Sequence, residues 1–215
     1  MISNNKVKII VLTGTPGTGK SIISNLLEKN FKDCKVIRLN DLINSEKLWT
    51  RKEKGSKVAD LDLLRNSVMN KIKLLKKSNP SFVIIEGHLA CELKLLVDAA
   101  IVLRTNPKVL LKRLEQRGYP KEKISENLQS EMLDYCTQRS ELNFGNKVYE
   151  IDSSGNLSST FSRVVRLVSA LVSKQSGSKK EHGTASSSSI LHSYRPKINW
   201  SKYFSDKSLS PYLFD

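Results

Sequence analysis

The chain reads as an α/β fold, a five-stranded parallel sheet with helices on both faces. Two observations predict it. Apolar runs of strand length alternate with runs of helical periodicity from the amino terminus to about Lys174. A glycine-rich octapeptide, Gly14-Thr15-Pro16-Gly17-Thr18-Gly19-Lys20-Ser21, lies directly between the first apolar run and the first helical one. Strands separated by helices connect through right-handed crossovers, and these build a parallel sheet buried on both sides.

Each element has its own signal. Val7-Lys8-Ile9-Ile10-Val11-Leu12 is the first strand, and Ile22, Ile23, Leu26 and Leu27 share one face of a helix ending near Asn30. Lys35-Val36-Ile37-Arg38-Leu39 is a short strand. Residues 44–59 are polar and lysine-rich, with Trp49 standing alone. A helix starts near Asp60, carries Leu61, Leu64, Val68, Ile72 and Leu75, and ends at Lys76-Lys77 before Asn79-Pro80. Ser81-Phe82-Val83-Ile84-Ile85-Glu86 and Ala99-Ala100-Ile101-Val102-Leu103 are the third and fourth strands. A helix with proline in its first turn runs from Pro107 to about Arg117. After Gly118-Tyr119-Pro120 a single helix is expected from about Lys121 to Leu142. Lys147 to Asp152 is the fifth strand, and Phe161, Val164, Val165, Val168, Leu171 and Val172 mark the last helix.

The octapeptide has the P-loop pattern of glycine, four residues, then Gly-Lys-Ser. Glycines let the backbone bend tightly and aim several N–H groups at phosphate oxygens, and the following helix N-terminus adds positive dipole. Lys20 suits the β- and γ-phosphates, and the Ser21 hydroxyl suits Mg²⁺. The duller alternative is a glycine-rich turn without a ligand. Strand, loop and helix in this order favour a nucleoside triphosphate.

Composition bounds the rest. Of 215 residues, 39% are hydrophobic and 27% charged, which describes a globular chain able to bury a core. Three isolated cysteines, Cys34, Cys91 and Cys136, fit neither a disulfide framework nor a zinc site, and read as buried hydrophobes in a reducing cytoplasm. The residues before the first strand leave no room for a signal peptide, and no apolar run is long enough to span a bilayer. The formal net charge of +15 exceeds what a small anionic ligand needs and suggests RNA; a solvated lysine surface is the equal alternative.

Beyond Lys174 the composition shifts. Gln175 to Ser189 is rich in Ser, Gly and Lys and is expected to be a disordered linker within a tail spanning 175–215. Ile190 to Asp215 regains aromatics, including Tyr194, Trp200, Tyr203 and Phe204. Such a segment docks on a partner, on RNA or on its own core, the first two slightly favoured.

Further residues extend the phosphate chemistry. Phosphoryl transfer requires positioning, a metal ion and positive charge more than covalent help. Glu86 ends a strand where a second metal-side residue belongs, although Asp is more usual and Glu would reach Mg²⁺ through water. His88, two residues on, is either structural or placed to orient water or substrate. Arg104 follows the fourth strand, and Lys108, Lys112, Arg113 and Arg117 recur along the next helix; beside a phosphate site, arginines closing over a nucleotide fit better than a solvated face.

Gly14 to Ser21, Asn40-Asp41-Leu42, Glu86-Gly87-His88, Val102-Leu103-Arg104-Thr105-Asn106, Arg113-Leu114-Glu115-Gln116-Arg117-Gly118-Tyr119 and Asn127-Leu128-Gln129-Ser130-Glu131 resemble, in order, the small adenylate-kinase-like ATPases of archaea and eukaryotes. The resemblance covers about residues 7–173, and Glu-Gly-His after the third strand is similar to the archaeal branch. It implies a P-loop NTPase of the nucleoside-monophosphate-kinase kind in residues 1–174, using Mg²⁺ and ATP as phosphoryl donor. By position, Gly17, Gly19, Lys20, Ser21 and Ile22 would hold the ATP phosphates, and Ser21 and Glu86 would serve the metal. Arg117, in a short lid of about 116–126, would lie on the adenine side. Residues 40–59 would bind the monophosphate, with Asn40, Asp41 and Arg104 as substrate-binding residues, and Lys20, Glu86, His88 and Arg117 would be catalytic. Eukaryotic relatives have Asp at the position of Glu86 and many acids where residues 44–59 are lysine-rich. The tail past Lys174 has no counterpart in the pattern.

The resemblance further implies ATPase action in late maturation of the small ribosomal subunit, with ribosomal protein uS11 and the pre-30S particle or its rRNA as partners of a monomer or transient complex. Three functions therefore stand: a kinase passing phosphate from ATP to AMP, another monophosphate or water; a ribosome-assembly ATPase switch whose kinase activity is incidental; and a kinase for a small metabolite.

Overall fold

Burial on both faces is what the aliphatic runs achieve in the computed structural model, which describes residues 7–53, 56–172 and 186–213. The strands are β1 (Lys8–Thr13), β2 (Cys34–Arg38), β5 (Phe82–Glu86), β6 (Ala99–Arg104) and β7 (Val148–Asp152), paired in parallel in the order β2-β5-β1-β6-β7. Side chains alternate along each strand. Ile9, Val11, Val83, Ile85, Ala100 and Val102 therefore enter one core layer, and Ile10, Leu12, Ile84, Ile101 and Leu103 the other. Because β1 is central, the phosphate loop leaves the sheet between the carboxyl ends of β5 and β6. That is the crevice position where open α/β sheets bind ligands.

Helices α1 (Lys20–Asn30), α3 (Leu61–Lys76) and α7 (Leu157–Val172) follow their sequence signals closely. Asp60 caps α3 by accepting from the N–H groups of Asp62 and Leu63. Asn106 caps α4 (Pro107–Gln116) by accepting from the Lys108 N–H. Cys34, Cys91 and Cys136 are free and buried, as small apolar side chains are. Among the described residues no helix is long and apolar enough to cross a membrane.

Three regions differ from the sequence reading. The polar stretch 44–59 contains α2's end (α2, Leu39–Ser45) and an antiparallel ribbon of β3 (Trp49–Glu53) and β4 (Ser56–Ala59). Its outward lysines and arginine mask the strand pattern, because a two-stranded ribbon has little buried face to display. The helix expected from 121 to 142 is two, α5 (Lys121–Met132) and α6 (Tyr135–Phe144). Asp134 breaks it in a left-handed conformation (φ 55°), which Asp tolerates, and its carboxylate pairs with Arg104. The linker expected over 175–189 lies mostly outside the described residues; Ser187 already opens α8 (Ser187–Ser193).

The aromatic segment beyond α8 docks on its own core rather than standing free for a partner. Tyr194 O accepts from the N–H of Glu150 at 2.7 Å on the edge strand β7. Trp200 and Leu209 join Leu110, Leu114, Ile124, Leu128 and Met132 in a third apolar cluster over α4 and α5. Lys108–Asp206 (2.7 Å) and Tyr212 Oη to Glu115 (3.0 Å) fasten its rim.

Candidate active site

The phosphate loop spans the six residues between β1 and α1, and two of its three glycines are demanded by space as much as by dihedral angle. A Cβ on Gly14 (φ 134°) would stand 2.3 Å from the Leu103 carbonyl oxygen. One on Gly17 (φ 97°) would stand 2.7 Å from Leu110 Cδ1 on α4. Both backbone positions exclude larger residues sterically, which lets the sheet and α4 approach the loop closely.

Lys20 begins α1 and is 8% exposed; its ammonium donates to the carbonyls of Gly14 (2.7 Å) and Thr15 (2.9 Å). Burial lowers its pKa, while Cys136, Glu86 and Glu131 oppose that shift. Ser21 Oγ donates to Glu86 Oε1 at 3.2 Å, because β1 and β5 pair in parallel with Leu12 opposite Glu86. This hydroxyl and carboxylate are hard oxygen donors one bond apart. They fit a Mg²⁺ ion that takes its remaining ligands from phosphates and water.

His88 opens the 3-10 turn His88–Cys91, where its carbonyl accepts from Thr13 Oγ1 at 3.1 Å. Burial, then the positive charges of Lys20 and Lys123, depress its imidazole to about 4. At neutral pH it is an uncharged ring able to donate or accept a hydrogen bond.

These groups border a cavity of about 850 Å³. Gly17, Gly19, Lys20, Ser21, Ile22, Glu86 and His88 line one side of it; Arg117, Tyr119 and Lys123 come from the α4–α5 turn. Asn40 and Asn44 of α2 and Lys57 of β4 also contribute. Lys57 Nζ bonds Asn44 Oδ1 at 2.5 Å and lies 5.5 Å from the Trp49 ring centre.

A model of the AAA domain family matches residues 10–134, from β1 into α6's approach. A protein of Methanosarcina acetivorans is 38% identical over 182 residues, covering 83% of this chain and 95% of its own. One from Methanosarcina barkeri is 33% identical over 89% of this chain and 97% of its own, and one from Archaeoglobus fulgidus 35% over 81% and 87%. All three are named "Putative adenylate kinase". The chain belongs to this adenylate-kinase-like P-loop family.

The connection between α4 and α5 is short: α4 ends at Gln116, Gly118 turns with φ 67°, and α5 starts at Lys121. Arg117 and Tyr119 reach the cavity from that turn, and Lys123 Nζ stands 4.8 Å from the Tyr119 ring centre.

Two sequence-assigned residues do not reach the cavity. Asp41 is exposed on α2 and absent from its lining. Arg104 is 1% exposed and committed to carboxylates beneath the loop. Its Nε donates to Glu131 at 2.9 Å, its Nη1 to Glu150 at 2.5 Å and Thr137 at 3.2 Å, and its Nη2 to Asp134 and the Glu131 carbonyl. Burial works against its charge, yet Glu131 and Glu150 outweigh it and raise the pKa. Arg104 is therefore a structural cation, not a substrate ligand. Arg113 is similarly engaged, donating to the Ser153 carbonyl at 2.8 Å.

Sequence reasoning missed the loop's supports. Ser153 Oγ donates to the Thr18 carbonyl at 2.9 Å, and Thr15 Oγ1 donates to Glu131 Oε2 at 2.5 Å. Burial pushes the Glu131 carboxyl up, opposed by Arg104, Thr15 and the Thr105 N–H. Since its polar neighbours are all donors, the carboxylate form satisfies them. The only local signal was Glu131 itself, an acid inside an otherwise amphipathic helix.

Proposed function

We propose that this protein transfers the γ-phosphoryl group of Mg·ATP to a nucleoside monophosphate such as AMP, with water as a slower acceptor. One observation carries the reading: a braced phosphate loop with its lysine, serine and strand-end glutamate shares a single cavity with a second set of polar side chains, Asn40, Asn44 and Lys57. Two ligand sites in one cavity suit transfer between two nucleotides, where positioning supplies most of the catalysis.

Loop N–H groups and Lys20 hold the β- and γ-phosphates; to reach them the ammonium exchanges two neutral carbonyls for anionic oxygens, a stronger pairing. Ser21 and Glu86 would hold Mg²⁺, which would supply positive charge against the phosphates. Arg117 places a guanidinium against the donor from the lid, and Tyr119 offers a ring beside it. His88, neutral at physiological pH, hydrogen-bonds the acceptor group without competing positive charge. Asn40, Asn44 and Lys57 take the acceptor nucleotide, Lys57 pairing with its phosphate.

Formation of ADP from ATP plus AMP tests the proposal. Turnover should rise on adding AMP and collapse in Lys20→Met; equal turnover with and without any monophosphate sinks the kinase reading.

A second reading, favoured by the net charge of +15, is an ATP-driven switch in assembly of the small ribosomal subunit in the cytoplasm, with uS11, the pre-30S particle and rRNA as partners. Lys71, Lys73, Lys76 and Lys77 are exposed along α3 and its end, where they suit a phosphate backbone. Salt-sensitive binding to purified rRNA, with release by ATP, supports it; absence of binding at low salt rejects it.

A further inference from the structure

Trp200 lies in the C-terminal segment, outside the cavity lining, yet it is one carboxylate away from the phosphate loop. Glu131 is 1% exposed and collects donors on both oxygens. Oε2 accepts from Thr15 Oγ1 at 2.5 Å. Oε1 accepts from Arg104 Nε at 2.9 Å, Thr105 N at 2.9 Å and Trp200 Nε1 at 3.2 Å. The Thr15 carbonyl in turn accepts from Lys20 Nζ and Thr18 Oγ1, both at 2.9 Å. One chain of bonds thus runs from the indole to the phosphate-binding lysine.

Packing runs along the same route. The indole shares a cluster with Leu110, whose Cδ1 limits the space at Gly17. On either side of Trp200 the segment is pinned. The N–H groups of Lys197 and Ile198 both donate to Glu150 Oε2 at 2.8 Å, and Tyr203 bonds Asn106 at the start of α4. Three donors on Oε1 fix the rotation of the Glu131 carboxylate, and that rotation aims Oε2 at Thr15. Without the indole N–H, the two remaining Oε1 donors both belong to the end of β6, and the carboxylate can turn about that side.

We propose that Trp200 is a positioning residue for the phosphate loop: through Glu131 and Thr15 it holds the loop in the shape that accepts a triphosphate. The proposal rests on the reading that this loop binds ATP, and it gives the C-terminal segment a role in nucleotide affinity.

The test is a double-mutant cycle on the full chain. Trp200→Phe keeps a ring in the apolar cluster and deletes only the donor; Thr15→Val deletes the other end of the link. Trp200→Phe should raise the MgATP Kd about 3- to 10-fold, the scale of one partly coupled hydrogen bond to a charged group, with kcat changed less than about twofold. The double variant should be no weaker than Thr15→Val alone. An unchanged Kd in Trp200→Phe, or effects of the two substitutions that simply multiply, overturns the link. A second measurement needs no change at Trp200. The chain has two tryptophans, so Trp49→Phe leaves Trp200 as the sole indole emitter. Its emission should shift with MgATP along the binding curve, and a flat titration at saturating nucleotide counts against the proposal. Lys20→Met separates this from the parent reading: if it binds MgATP like the unmodified protein, the loop assignment fails, whereas a defective Lys20→Met with a silent Trp200 rejects the link alone.

Discussion

The cavity has two unlike sides. Around the phosphate loop, Thr15 and Thr18 are 1% exposed and Glu86 7%, and the side chains of Thr15, Thr18 and Ser21 are bonded to Glu131 of α5, to the Thr15 carbonyl and to Glu86 of β5. The ribbon side is open. Residues Thr50 to Glu53 are exposed, and so is Lys57, which contacts Asn44 and the face of Trp49. A buried side chain held by hydrogen bonds resists displacement, whereas an exposed two-stranded ribbon opens at lower cost. On the reading proposed above, the buried side would take the phosphoryl donor and the exposed side the acceptor. Pre-organisation where charge develops and mobility where a second substrate enters is a workable division for transfer between two nucleotides.

Removing the brace should give the largest effect. Glu131→Leu leaves Arg104 buried with one fewer counter-ion and should cost about 3–5 kcal/mol in denaturant unfolding. A loss below about 1 kcal/mol would mean the loop side is no more rigid than the ribbon. Lys20→Met should leave stability nearly intact and lower kcat by about 10²- to 10³-fold, the scale of losing one oriented charge at the transferred group. Comparing its melting curve with its turnover checks both halves.

A third, smaller effect depends on pH. His88 takes up a proton near 6.5 when unfolded but only near 4 when folded, so acid favours the unfolded chain. Its contribution is complete well above pH 6.5 and declines as pH falls toward 4, by about 2–3 kcal/mol at pH 4.5. The difference in urea midpoint between the unmodified protein and His88→Asn, followed from pH 7 to pH 4.5, isolates it; a parallel pair of curves would show a solvated ring. The smallest effect belongs to the ribbon. Lys57→Ala should shift stability by less than about 0.5 kcal/mol and raise the AMP KM a few-fold with kcat unchanged. A kcat loss matching that of Lys20→Met would erase the contrast between the sides.

Much of the fold was legible because it is written locally. Apolar strands, the helix start near Asp60 and the proline at the start of α4 are contiguous patterns, and α3 and α4 begin where those patterns place them. The ribbon was not, since its two strands bury little and their charges hide the alternation. The split between α5 and α6 was not, because Asp134 reads as an ordinary helix-surface acid until Arg104 is beside it. Arg104 is the instructive error: an arginine following a strand beside a phosphate loop has the chemistry of a clamp, and only the positions of Glu131 and Glu150 reveal where its charge is spent.

By itself the amino-acid order determined the α/β alternation, the phosphate loop with Lys20 and Ser21, and the strand-end placement of Glu86 and His88. Those depend on neighbours a few residues apart and on the regular spacing of apolar side chains. Tertiary structure alone decided what supports the loop, which arginines are free for a nucleotide, and that the aromatic tail closes over α4 and α5. Thr15 and Glu131 are 116 positions apart and Glu131 and Trp200 are 69 apart, separations at which no local preference acts. A hydrogen bond between such residues exists only after the chain has folded to bring them together.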